Sequence, residues 1–136
     1  MPHVTIDCSA NVADVTDVAA LTGALHEAAL ATGVAPLDAL RTRTALHEHY
    51  AIGDRAAQNL FVAVTVRLAP GRSDQAKQRL LAALLEALDD RLGPARADAM
   101  LSVELQEIDP ASRVNRNHIR AAIAERAAPR DQTTHL

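Results

Sequence analysis

Apolar and polar residues alternate in four separate stretches of the chain, and in two others the apolar residues recur every three or four positions. The pattern therefore predicts four strands and two long helices. Val4, Ile6 and Cys8 share one face of a first strand over residues 3–8. After a polar loop at Asn11 to Asp14, Val18, Leu21, Leu25 and Ala28 form a helical stripe, with Asp14 or Thr16 as its cap and Gly33 and Pro36 as its stop. Leu40 to Tyr50 has a period of two that puts Arg41, Arg43, Ala45, His47 and His49 on one face and Leu40, Thr42, Thr44 and Leu46 on the other. Leu60 to Leu68 is dense in valine and reads as a central strand. Pro70-Gly71 then makes a turn, Ser73 caps a second helix, and Leu80, Leu81, Leu84, Leu85, Leu88 and Leu92 give it a broad apolar stripe that ends at Gly93-Pro94. A last strand follows at Met100 to Ile108, then a short helix over 115–127 and a polar tail, 129–136.

The order strand-helix-strand occurs twice, over about residues 2–50 and 59–109, so residues 1–128 are expected to form one α+β domain of tandem β-α-β units. Each unit holds two parallel strands and a crossover helix. Placed edge to edge, the two build a four-stranded mixed sheet with both helices on one face. The strands are read as apolar on both faces, and the uncovered face then calls for a closed oligomer.

Composition narrows the function classes. The 136-residue chain is 49% hydrophobic with one Phe, one Tyr and no Trp, so packing rests on aliphatic contacts and no aromatic platform exists for stacking bases. A net charge of −3 gives no footprint for nucleic acid. No apolar run approaches the roughly 20 residues a membrane span needs, and nothing resembling a leader precedes Pro2. Cys8, the single cysteine, reads as a core thiol. A cytoplasmic protein is the expectation.

The candidate chemistry starts at the amino terminus. Methionine before a small residue is normally trimmed, which would leave Pro2 as a secondary amine. An α-amino group titrates at about 7.7–8.0 and drops when buried or near cations, so it serves as a base at neutral pH. His47 and His49, alternating on one strand face, are a rival signal for a metal, but third and fourth ligands at workable spacing are missing and no metal is expected.

The opening Met1-Pro2-His3 with its strand, the Leu40-Arg41-Thr42-Arg43 start of the second strand, and the Pro70-Gly71-Arg72-Ser73 turn together resemble the tautomerase superfamily, and within it the 5-carboxymethyl-2-hydroxymuconate isomerase family. The resemblance covers about residues 2–125. Val64 to Leu88, with Gly71-Arg72-Ser73-Asp74-Gln75 and Lys77, also looks like the short 4-oxalocrotonate tautomerase chains. What the resemblance implies is a homotrimeric, cofactor-free isomerase of aromatic-compound catabolism, specifically homoprotocatechuate degradation. Its small-molecule substrate would be an acidic dienol, and neither nucleic acid nor membrane would be a partner. Pro2 would be the general base and Arg72 a carboxylate clamp, with Arg41 entering the pocket from a neighbouring subunit.

If the adjoining strands of the two units run antiparallel, the start of strand one lies beside the end of strand three, bringing Pro2 near Arg72 within one chain. Arg41 and Arg43 lie on one strand face; the Leu-Arg-Thr-Arg context favours Arg41 and leaves Arg43 as the second candidate. Tyr50 and Phe61 are the only aromatic residues on hand to wall the pocket. His3 is read as a surface or interface residue, and the resemblance implies that the segment holding Asn115, Asn117 and His118 helps close the pocket or knit the trimer. A non-catalytic trimeric scaffold of the same fold, or a proline-dependent hydratase or dehalogenase acting on an unsaturated acid, is the alternative.

Overall fold

In the computed structural model, which describes residues 2–128, alternation of apolar side chains has built a four-stranded sheet with one covered face. Its strands are β1 (His3–Ser9), β2 (Arg41–His47), β3 (Leu60–Leu68) and β4 (Ala99–Glu107). They are ordered β2-β1-β3-β4, with β1 parallel to β2, β3 parallel to β4, and β1 antiparallel to β3. Helices α1 (Val18–Ala31) and α2 (Asp74–Leu92) are the two crossovers, and α3 (Ile119–Ala127) follows the sheet. The doubled β-α-β arrangement is therefore present. Met1 and the tail 129–136 lie outside the described residues.

The core lies between helices and sheet. Val4, Ile6 and Cys8 from β1 and Val62, Val64, Val66 and Leu68 from β3 meet Leu21 and Leu25 of α1 and Leu80, Leu84 and Leu88 of α2, all essentially inaccessible. Each such leucine contributes about 1.5–3 kcal/mol by leaving water. Leu101, Val103 and Leu105 of β4 pack against the same cluster.

Several expected boundaries move, each for a local reason. Residues Ala10–Asp14 form a 3-10 turn that sinks Val12 into the core and uses up Asp14. The cap of α1 is consequently Asp17, whose carboxylate accepts from the amides of Ala19 and Ala20 at 2.9 and 3.2 Å, in place of Asp14 or Thr16. The buried stripe of α1 is Leu21, Leu25 and Ala29, while Val18 and Ala28 are only half-buried. Ser73 caps α2 as expected, accepting from the Ala76 amide at 3.1 Å, but Leu85 faces solvent and the stripe narrows to Leu80, Leu84, Leu88 and Leu92.

Strand β2 ends at His47 and not at Tyr50, because its partner β1 stops at Ser9, opposite His47, and turns away into the 3-10 segment. Strand β4 runs one residue earlier than expected, and α3 begins at Ile119 where the sequence suggested residue 115. Lys77 ties α2 to β4 by bridging Glu107 at 3.2 Å and Asp74 at 3.4 Å.

The uncovered sheet face differs most from expectation. The alternation that sends Val4, Ile6 and Cys8 inward sends Thr5 and Asp7 outward. By register, Arg41, Arg43, Thr65, Arg67, Ser102, Glu104 and Gln106 join them. Strands read as apolar on both faces are apolar only toward the helices. Phe61, Ala45, Ala63 and Met100 are the apolar exceptions on the open side.

Candidate active site

The pairing of β1 brings its first residues together with both neighbouring strands. His3 lies opposite Arg41 on β2 and opposite Arg67 on β3, and the Arg41 amide donates to the Pro2 carbonyl at 3.4 Å. Pro2 is buried. Because β3 runs antiparallel to β1, its far end and the following Ala69–Ser73 turn reach the same end of the sheet. Gly71 sits in that turn at φ 120°, a conformation open to glycine and strained for other residues.

Arg72 follows immediately. Its Nε donates to the Val34 carbonyl and its Nη1 to the Ala69 carbonyl, both at 3.1 Å. Val34 lies in the buried connection between α1 and β2, so one guanidinium ties that connection to the β3–α2 turn. The bonds to Nε and Nη1 fix the plane of the group and leave Nη2 without a partner among the described residues.

Pro2, Arg41 and Arg72 therefore share one end of the sheet within a single chain, so Arg41 is already beside its own chain's Pro2. Arg43 stands opposite Thr5, two residues or about 7 Å further along the strand. The His3 imidazole is held below its ordinary value of 6.5, first by burial and then by the guanidinium groups of Arg41, Arg43 and Arg67. Its Nδ1 is buried with no hydrogen-bond partner among the described residues. Burial likewise pushes the Cys8 thiol up to about 11, with the Asp7 carboxylate adding to the shift. Cys8 thus remains a protonated core residue.

Tyr50 and Phe61 are not brought to this end. Phe61 opens β3, its amide bonded to Ser9 Oγ at 3.0 Å, six strand residues or about 20 Å from Arg67. There it stacks on His47 with ring centroids 6.2 Å apart and meets Tyr50 edge-on at 6.4 Å. His47 Nε2 lies 2.9 Å from Asp7 Oδ1. His49 falls beyond the end of β2, so the alternating histidine pair suggested by the sequence does not share a strand.

The C-terminal segment, expected at the pocket or the trimer contact, is lashed to the proline end of its own chain by bonds not expected from the sequence. Asn117 donates from Nδ2 to the Asp38 carbonyl at 2.7 Å, and its Oδ1 accepts from the amides of Ile119 and Arg120, both at 3.1 Å. Arg120 Nε meets the Asp38 carboxylate at 2.9 Å. A pocket of about 320 Å³ lies between residues 38–41 and 116–119. The available signal was an Asn two residues before a helical stretch, a residue type that satisfies orphan amides.

A family model described as 5-carboxymethyl-2-hydroxymuconate isomerase matches residues 2–123. A 5-carboxymethyl-2-hydroxymuconate Delta-isomerase of Escherichia coli is 25% identical over 123 residues, covering 89% of this chain and 98% of the relative. A solved 5-carboxymethyl-2-hydroxymuconate isomerase from Deinococcus radiodurans R1 superposes with a TM-score of 0.81 at 27% identity, over 90% of this chain and 93% of the other. A fused 4-OT solved as a symmetric trimer shares the fold, with a TM-score of 0.63 at 23% identity over 84% of this chain and 93% of that one.

Proposed function

The chain belongs to the 5-carboxymethyl-2-hydroxymuconate isomerase family and is a tautomerase, and we propose that it ketonises 5-carboxymethyl-2-hydroxymuconate or a closely related dienol acid with Pro2 as the general base. One observation carries the assignment of residues: the start of β1 lies against Arg41, and the Arg72 turn arrives at the same sheet end.

With Met1 removed, the Pro2 nitrogen is a secondary amine at a buried position, and burial favours its uncharged form. The neutral nitrogen takes the proton of the 2-hydroxyl group. The electron pair moves through the conjugated system to a distant carbon, to which the proton is returned, leaving an unsaturated ketone. Atoms and oxidation level are conserved, so the reaction calls for no redox partner. Arg41 and the free end of Arg72 hold carboxylates and stabilise charge developing on the oxygen; Arg43 is a further binding cation.

Tyr50 and Phe61 act in this scheme from a neighbouring subunit, since their own chain holds them at the opposite sheet end. The assembly is accordingly a homotrimer, the state in which the fused 4-OT relative was solved. The enzyme works in the cytoplasm on a product of aromatic-ring fission in homoprotocatechuate degradation.

Intact mass establishes whether Met1 is absent. Ultraviolet absorbance then follows ketonisation by the wild type, Pro2→Ala and Arg41→Ala. Removing a general base typically costs about 10²–10⁴ in rate, and a loss of that size in Pro2→Ala is expected. Equal turnover in all three proteins would eliminate the assignment and favour a scaffold.

A further inference from the structure

The pocket between residues 38–41 and 116–119 has an electrostatic imbalance. It is lined by Arg41 from the start of β2 and by Arg116, Asn117 and His118 from the segment leading into α3. Among the described residues neither the Arg41 nor the Arg116 side chain makes a hydrogen bond or ion pair, whereas Asp38, the acidic residue lining the same pocket, is already paired with Arg120 at 2.9 Å. Two exposed arginines whose side chains make no bond among the described residues thus line one open cavity of about 320 Å³, room enough for a small organic acid. A carboxylate bound there would give both side chains a partner.

Position adds a direction. Arg41 is bonded through its backbone amide to the Pro2 carbonyl, so the pocket opens off the proline end of the sheet. Arg116 is held there because its neighbour Asn117 is fastened to the Asp38 carbonyl at 2.7 Å. We infer that Arg116, which lines this pocket together with Arg41, seats a carboxylate of the substrate additional to those held at the proline, and so selects a tricarboxylate over a dicarboxylate. The inference rests on the proposed function for the placement of the reacting dienol, but not for the anion site itself. Arg116 is a specificity residue, remote from the proton transfer.

Two measurements test it. In the first, steady-state kinetics with the triacid 5-carboxymethyl-2-hydroxymuconate and the diacid 2-hydroxymuconate compare the wild type with Arg116→Gln. Loss of a charged, hydrogen-bonded contact is expected to raise KM for the triacid by about tenfold or more. The triacid kcat and the diacid KM stay within about twofold, and Arg116→Lys recovers part of the loss. Equal effects on both substrates, or none on either, would overturn the inference. In the second, calorimetry measures binding of propane-1,2,3-tricarboxylate and of glutarate to the same proteins, with no turnover required. The tricarboxylate is expected to bind the wild type more tightly, by about tenfold, and to lose that margin in Arg116→Gln. No margin in the wild type, or a margin surviving the substitution, would refute the site. A wild type that binds with this pattern but converts neither dienol leaves the anion site standing and removes the proposed reaction.

Discussion

Arg72 carries two assignments, and replacing it separates them. Its Nε and Nη1 each donate to a backbone carbonyl at 3.1 Å, joining the α1–β2 connection to the β3–α2 turn. Hydrogen bonds to a charged group contribute about 1.5–3 kcal/mol each. Arg72 is only partly buried, so water replaces part of both bonds, and Arg72→Ala is expected to cost roughly 2–3 kcal/mol. With a urea dependence of about 2 kcal/mol per molar for a chain of this size, the unfolding midpoint falls by roughly 1 M. The comparison is made at one protomer concentration, because assembly adds to apparent stability. Arg67→Ala is the control, since Arg67 is exposed and its side chain makes no hydrogen bond among the described residues; its change stays within about 0.5 kcal/mol. A midpoint for Arg72→Ala matching that of Arg67→Ala would refute the clamp, and a loss of turnover would then be attributable to substrate binding alone.

Three further outcomes are expected of the folded chain. Cys8 is inaccessible, with its thiol pushed up to about 11, so a thiol reagent near pH 8 should leave the native protein unmodified and label it only on unfolding. The folded state holds His3 below 6.5, so the unfolded chain binds the extra proton first. Stability is therefore lost as pH falls through 6.5 and levels off below the folded value, and midpoints of His3→Gln between about pH 7.5 and 5 should vary less than those of the wild type. Leu84→Ala, at a fully buried position on α2, should cost about 2–5 kcal/mol by thermal or urea unfolding.

The succession of strands and helices was legible because each signal is local. Val4, Ile6 and Cys8 alternate, Ser73 is a capping residue, and Leu80, Leu84, Leu88 and Leu92 repeat at helical spacing. The boundaries that moved depended on partners elsewhere in the chain. His47 ends β2 because Ser9 ends β1, and Asp17 takes over the cap because Val12 draws the preceding turn into the core. The candidate site divides the same way. Pro2, Arg41 and Arg72 were readable as residues with apt chemistry; laying the two units antiparallel put Pro2 and Arg72 at one end of the sheet, whereas Arg41 was expected there from a neighbouring subunit.

By itself, then, the sequence determined that two β-α-β units form, which helix stripes are apolar, and which side chains can accept a proton or grip a carboxylate. These depend on periodicity and functional groups, which are properties of neighbouring residues. Tertiary structure alone decided that the open sheet face is polar, that Tyr50 and Phe61 lie about 20 Å from the proline end, and that Arg72 holds two carbonyls while Asn117 fastens the C-terminal segment to Asp38, so that Arg116 and Arg41 line one pocket. Each of these depends on strand register or on a contact between segments tens of residues apart, set by burying the whole core at once.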